Sequence, residues 1–356
     1  MKRHPDALIN RRNWQDTRLY LKYHRTILQN KIRSVESIRG AMDELLEWAT
    51  DIPLTNSTDI NPTLVEYLNG KEMTASYRAK LLEFIRGFYE WARDEIPDRY
   101  GSFKKSWIDS LKSKIKDTGL VEEKPIFTLS MVREITALKP RSLVEERDIA
   151  AVAFLFLSGM RDGAFCSLPI RSVDITRDPI MVRQWPQWGV RTKGDKAANT
   201  YLLPNPDLED LREIVRAWHR KIAPIVGEKG MWFTIFDAGT GNPAANQVPG
   251  LSRSGDLGDR LKLLCARAGI EYASPHRIRH GHVVHAMSYC RSMDELKAVS
   301  QNVMHNSITT TESIYGDLPS DSIAATLMVM SQRESDPENG MRLTSSLFKR
   351  SLDRRR

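Results

Sequence analysis

The run Ile149 to Leu157 is apolar without interruption. A bilayer span needs about 18–20 such residues, and Glu145-Glu146-Arg147-Asp148 stand directly before this run. The reading is a helix, Val144 to Ser158, sunk in a globular core. A helix with no polar stripe must be covered on every side by other elements, so the chain has to fold around it. At roughly 100–200 residues per domain, 356 residues are enough for two domains. With 41% hydrophobic and 28% charged residues, the composition excludes wholesale disorder. The N-terminal MKRHPDALINRRNW is basic but no apolar segment follows it, which predicts no secretory signal and a cytoplasmic, nucleoid-associated protein. Three cysteines, Cys166, Cys265 and Cys290, with no C-x-x-C pair, argue against both a disulfide framework and a zinc finger.

Residues 11 to 103 read as a helical module. Arg12 to Leu28 places Trp14, Leu19, Leu21 and Ile27 among Arg18, Lys22 and Arg25; Ser34 is expected to cap a helix running to Trp48; Leu64 to Leu68 and Thr74 to Trp91 complete four helices. Lys104, Lys105, Lys112, Lys114, Lys116 and Lys124 then crowd a stretch of weak periodicity ending at Pro125, read as a basic linker over 104–125. Residues 126–332 form the second domain, with short helices at Ser130 to Leu138 and the buried one already described. Strand signals follow at Val173-Asp-Ile, Ile180 to Trp185, Val190-Arg-Thr and Thr200 to Leu203, with Lys193-Gly-Asp-Lys196 predicted to close a hairpin. Helices return at Asp207 to Lys221, Leu257 to Ala268, Pro275 to Met287, Met293 to Val299 and Asp321 to Met330. The expected fold is mainly α with one small antiparallel β-sheet, between polar tails at 1–10 and 333–356.

Several chemical signals fail on their own residues. Gly239-Thr-Gly241 imitates a dinucleotide fingerprint, but Pro243 and the loop-like sequence after it leave no helix to meet a pyrophosphate. There is no G-x-x-x-x-G-K-[ST]. His276 and His280 stand four apart with His282 and His285 beyond them, but the glutamate of H-E-x-x-H is replaced by Arg277, and Arg279 would repel a dication. What remains suits an anion. A net charge of +8 and a pI near 9.3 suggest a polyanionic partner. Arg161 ends the buried helix at its rim, His276 and Arg279 share a helix face, Lys193 sits in a predicted turn, and His305 and Tyr315 bracket a short polar segment.

The order of these elements resembles the tyrosine recombinase (phage integrase) family. Ser158-Gly-Met-Arg161, Thr192-Lys193-Gly194, His276-Arg-Ile-Arg279-His280, His305 and Tyr315, with 36 residues from Arg279 to Tyr315, follow that family's signature across the second domain. The first domain is similar to its core-binding, SAM-like module in helix count. The sequence departs at Ala164, where the family usually carries an acidic residue that positions the arginine; either Asp162 substitutes or Arg161 is held differently.

The resemblance implies a helical core-binding domain joined to an α+β catalytic domain, clamping double-stranded DNA like a C. It implies Tyr315 as nucleophile, forming a 3′-phosphotyrosine, with Arg161 and Arg279 holding the non-bridging oxygens. His276 would serve as base, His305 would hydrogen-bond the phosphate, and Lys193 would protonate the departing 5′-oxygen. Transesterification conserves the bond energy, so no cofactor is expected. Lys104, Lys105, Arg18 and Lys22 are candidate DNA contacts. The 321–330 helix would be donated to a neighbouring protomer in a dimer or tetramer, or would cap its own chain. The ten residues ahead of the first helix favour a simple integrase, transposon-type or chromosome-resolution enzyme. Three rivals remain: a type IB topoisomerase, a catalytically silent DNA-binding regulator on the same scaffold, and a metal-dependent nuclease using the histidines.

Overall fold

The computed structural model describes residues 9–115, 126–245, 247–250, 252–304 and 320–332. The chain divides into two compact units, Met1–Glu122 and Glu123–Arg356. The described helices of the first are α1 (Arg11–Thr26), α2 (Ile32–Ala49), α3 (Leu64–Asn69), α4 (Ala75–Glu95), α5 (Pro97–Tyr100) and α6 (Lys105–Ser110). Asn10 and Thr74 cap α1 and α4 through their side chains, and Thr63 with Glu66 forms a capping box on α3. The cap expected at Ser34 is absent: α2 starts at Ile32, after Lys31, with no side-chain cap bond.

Ile38, Met42 and Leu45 of α2 pack with Leu81, Ile85 and Phe88 of α4 in the core of this unit. The first helix departs from its expected orientation. Its buried residues are Asn13, Asp16, Thr17 and Tyr20, while Leu19 is 49% and Ile27 65% exposed. Specific hydrogen bonds turn the polar face inward. Asn13 donates to the Ile52 carbonyl at 2.8 Å and accepts from the Leu54 amide at 2.8 Å. Asp16 receives the Arg99 fork at 2.6 and 2.5 Å and the Tyr100 hydroxyl at 2.7 Å, a charge-assisted set stronger than ordinary neutral bonds. Ile108 and Leu111, which the sequence reading places in a linker over 104–125, are instead buried in this core.

The second unit is organised around α8 (Leu143–Ser158), buried continuously from Arg147 to Ser158. Against it pack α7 (Leu129–Thr136), α10 (Glu209–Val226), α11 (Arg253–Ala268) and α12 (Pro275–Met287). Arg147 and Asp148 tolerate burial because they are paired. Arg147 donates to Asp148 at 2.9 and 2.6 Å and to the Thr234 carbonyl at 2.7 Å, and Arg260 reaches the other Asp148 oxygen at 2.5 Å.

The sheet has the antiparallel order β1 (Val173–Asp174), β2 (Met181–Gln184), β3 (Ala198–Tyr201), with Met181 opposite Tyr201 and Gln184 opposite Ala198. Val190 to Thr192 is not a strand. Lys193 therefore lies not in a tight hairpin turn but in the connection 185–197, within the 3₁₀ turn Lys193–Asp195. Helix α13 (Met293–Asn302) carries a Ser292–Glu295 capping box. The helix Ser320–Ser331 packs on α13 of its own chain, burying Ile323, Leu327 and Met330. None of the described helices is long and apolar enough to cross a membrane.

Candidate active site

Three secondary-structure ends meet around Arg161 and Arg279. The first is the C-terminus of α8, closed by Gly159 in the left-handed region at φ 58°. A Cβ there would stand 2.4 Å from the His282 ring and 2.7 Å from Val303, so glycine is required by contact as well as by backbone conformation. The turn that glycine permits buries Met160 and delivers Arg161, half-buried, at the start of α9 (Asp162–Phe165).

The second end is the N-terminus of α12. Pro275 opens the helix, its missing N–H costing nothing at that position. His276 is exposed in the first turn and Arg279 is buried one turn on. Gly281 lets the helix press against residue 127, since a Cβ there would lie 1.8 Å from the Phe127 carbonyl oxygen. His282 is fully buried, its Nδ1 2.6 Å from the Phe156 carbonyl oxygen. It is a packing residue of the α8–α12 interface.

The third end is the C-terminus of α13, which strand β3 fixes in place. Asn302, fully buried, accepts from the Tyr201 amide at 2.7 Å and donates to the Tyr201 carbonyl at 2.9 Å. Thr200 donates to the Asn302 carbonyl at 2.8 Å. The next two carbonyls are then aimed at the arginines. Arg279 donates to Val303 at 2.5 Å and to Gly159 at 2.6 Å, and Arg161 donates to Met304 at 3.0 Å. Met304 itself has φ 54°, a conformation uncommon outside glycine and concentrated at functional sites. Arg161 is thus held by a backbone carbonyl instead of a carboxylate, which accounts for the tolerance of a buried alanine at position 164.

The electrostatics favour an anion beside the two arginines. Burial first, then the neighbouring Arg161, lowers the Arg279 pKa, and burial also lowers that of Arg161. Among the described residues the partners of both guanidiniums are backbone carbonyls, and no acidic group acts on either. Although exposed overall, His276 is held below the ordinary imidazole value by partial desolvation and then by Arg279, with Arg161 and Arg277 acting the same way and Asp162 opposing them. Its ring meets that of His280 edge-on at 4.8 Å. Among the described residues no group of three His, Cys, Asp or Glu stands together as a cation site.

The structure therefore brings Arg161, His276 and Arg279 together. Lys193 is exposed in its connection and has no hydrogen bond to these three. His305 and Tyr315 lie outside the described residues. In the first unit, Arg18 and Lys22 line a cleft of about 1060 Å³ together with Arg12, Arg25 and Arg39, and Arg18 stacks on Trp14 at 4.6 Å. Lys104 and Lys105 stand exposed at the start of α6. Sequence reasoning missed Asn302 and the Val303 and Met304 carbonyls. Asn302 at a helix end is a local signal only of termination, and a backbone acceptor leaves none.

A family model described as the phage integrase family matches residues 127–320. Among solved structures, the chain is similar to XerH site-specific recombinase bound to difH substrate, at 13% identity and TM-score 0.52, covering 84% of this chain and 80% of that one. It is similar to the Tn1549 transposon integrase in complex with a circular intermediate DNA, at 14% identity and TM-score 0.52, covering 88% and 99%. A lambda integrase tetramer bound to a Holliday junction aligns at 13% identity and TM-score 0.55, covering 82% and 78%. At these identities the likeness is one of fold. No curated protein sequence matches.

Proposed function

Because the chain belongs to the phage integrase family of tyrosine recombinases, we propose that it cleaves and rejoins duplex DNA at a specific site through a covalent 3′-phosphotyrosine at Tyr315. The observation that carries this reading is the pair of arginines aimed by consecutive backbone carbonyls, Val303 and Met304, with His276 alongside and no acid among the described residues to neutralise either guanidinium. Such a site gains most when an anion enters it.

In-line attack on a phosphodiester gathers charge on the non-bridging oxygens. Two preorganised guanidinium forks answer that charge without reorganising. A phenol, with an ordinary pKa of about 10, must lose its proton as it attacks, and His276, whose pKa its surroundings lower, is the group suited to take it. His305 would hydrogen-bond the phosphate. Lys193 would give a proton to the departing 5′-oxygen, so that the P–O5′ bond breaks as the tyrosine–phosphorus bond forms. Attack by a 5′-hydroxyl of another strand reverses the step and regenerates Tyr315. The bond energy stays in the ester, which makes an external cofactor unnecessary.

DNA is the partner. Arg18 and Lys22 in the first-unit cleft, with Lys104 and Lys105, are the proposed phosphate contacts, and binding should weaken steeply with salt. On DNA the protein would assemble as a dimer or tetramer by exchanging the 321–330 helix, which in the single chain covers its own α13.

A nicked suicide duplex, drawn from the DNA flanking the gene, tests the reading on a denaturing gel. Wild-type protein should form an adduct that withstands EDTA, and Tyr315→Phe should form none. Tight, salt-sensitive binding without an adduct from either protein would favour the silent DNA-binding regulator instead. Loss of cleavage with EDTA would favour the nuclease.

A further inference from the structure

The connection between β2 and β3 leaves the protein surface abruptly. Thr192 is buried at 7% exposure, and residues 193–197 are all exposed. The residue that fixes the point of departure is Arg191. Its guanidinium donates to the Gly250 carbonyl at 2.9 Å and to the Pro249 carbonyl, gripping the segment ahead of α11. Its backbone amide donates to the Ser167 hydroxyl at 2.8 Å. Ser167, 1% exposed, in turn donates to the carbonyls of Gly163 and Ala164 at 3.0 and 3.1 Å, within the helix that Arg161 begins.

From this geometry we infer that Arg191 is a positioning residue for Lys193: its guanidinium fastens the chain two residues before the lysine to the segment ahead of α11, at a point that its backbone amide also joins, through Ser167, to the short helix that presents Arg161. The inference rests on the reading of Lys193 as proton donor to the 5′-oxygen. A flexible lysine on an exposed loop delivers a proton only from within hydrogen-bond reach, and a displacement of about 1 Å at a catalytic group can cost 10²-fold. Arg191 spans two carbonyls with one planar fork. Lysine carries the same charge but lacks that fork, so the device depends on geometry more than on charge.

Single-turnover cleavage of two duplexes by the full-length protein separates positioning from folding. One duplex carries the ordinary 5′-oxygen at the scissile bond. The other carries a bridging 5′-sulfur, whose thiolate leaves without protonation. Lys193→Ala should lose about 10²-fold or more on oxygen and recover on sulfur. Arg191→Ala and Arg191→Lys should each lose about 10- to 10²-fold on oxygen and recover on sulfur to within about threefold of wild type, with DNA affinity unchanged. Equal deficits on both duplexes would overturn the inference, since a folding or binding defect does not distinguish leaving groups. Arg191→Lys keeps the test open should Arg191→Ala fail to fold. If sulfur rescues Lys193→Ala but neither Arg191 variant, positioning is wrong while the proton-donor reading stands. If sulfur fails to rescue Lys193→Ala, the proton-donor reading falls and the inference falls with it.

Discussion

Replacing Gly159 by alanine should damage both the fold and the site, and the two components of the damage can be separated. A left-handed backbone costs a residue with a Cβ about 1–2 kcal/mol. The new methyl would also stand 2.4 Å from His282 Cδ2 and 2.7 Å from Val303 Cγ1. The His282 ring cannot swing aside without giving up its 2.6 Å contact with the Phe156 carbonyl, and overpacking of this kind costs about 1–3 kcal/mol. The expected loss is about 2–5 kcal/mol. At about 2–4 °C per kcal/mol for a unit of this size, the melting temperature should fall by roughly 4–20 °C. Gly189→Ala isolates the backbone component, because Gly189 has φ 89° and nothing within 4 Å of an added Cβ; it should lose about 1–2 kcal/mol. Gly163→Ala, with neither feature, should be neutral or stabilising by up to about 1 kcal/mol. Thermal and urea denaturation of the three variants beside wild type gives the ordering. A Gly159→Ala loss no larger than that of Gly189→Ala would refute the argument that this turn is wedged against His282 and Val303. Because Val303 also supplies the Arg279 acceptor, strand cleavage should fall in Gly159→Ala even below its melting temperature.

Two further outcomes follow from the site. Asn302→Ala removes both side-chain hydrogen bonds to the Tyr201 backbone, at about 1–3 kcal/mol for each bond; urea denaturation should register a loss of about 2–6 kcal/mol, and one under about 1 kcal/mol would show that β3 does not hold the end of α13. His276 must be neutral to accept a proton, and its pKa is lowered from 6.5 by partial desolvation and then by Arg279. Cleavage should therefore hold its rate as pH falls through 6.5 and decline only below it. Asp162 opposes the lowering, so Asp162→Asn should move that decline to still lower pH in a single-turnover profile; an acid limb at or above 6.5 would contradict the role.

How far the sequence disclosed this arrangement depended on whether the deciding interactions were local. Helix α12 runs from Pro275 to Met287 as read, because its start is marked by a proline and its inward residues repeat at helical spacing. The helix at 143–158 was equally legible, since an apolar run of that kind has no exposed solution. Helix α1 misled. Its apolar residues suggested a buried stripe, yet Asn13 and Asp16 face inward through partners about 40 and 83 residues away. The loop carrying Lys193 was read as a tight turn because Gly194 and Asp195 supply turn chemistry; the strand pairing that ends at Gln184 and Ala198 leaves a longer connection. At the site itself, side chains were legible and backbone was not. Arg161, His276 and Arg279 are named by the family resemblance their motifs carry, but that resemblance expects an acid where Ala164 stands and does not disclose the Met304 carbonyl that holds Arg161.

The central claim is that Arg161 and Arg279 act by answering the charge of one phosphate, and a neutral scissile linkage tests it most directly. On an ordinary duplex, Arg279→Ala should cleave about 10²–10³-fold more slowly than wild type. On a duplex with a methylphosphonate at the scissile position, where one charged oxygen is replaced by methyl, the same variant should approach the wild-type rate to within about tenfold, a gain of at least about 1.4 kcal/mol in the ratio. Arg161→Ala should behave likewise. A deficit of unchanged size on the neutral linkage would contradict the account, leaving the two arginines as supports of the fold and not as the electrostatic partners of the reaction.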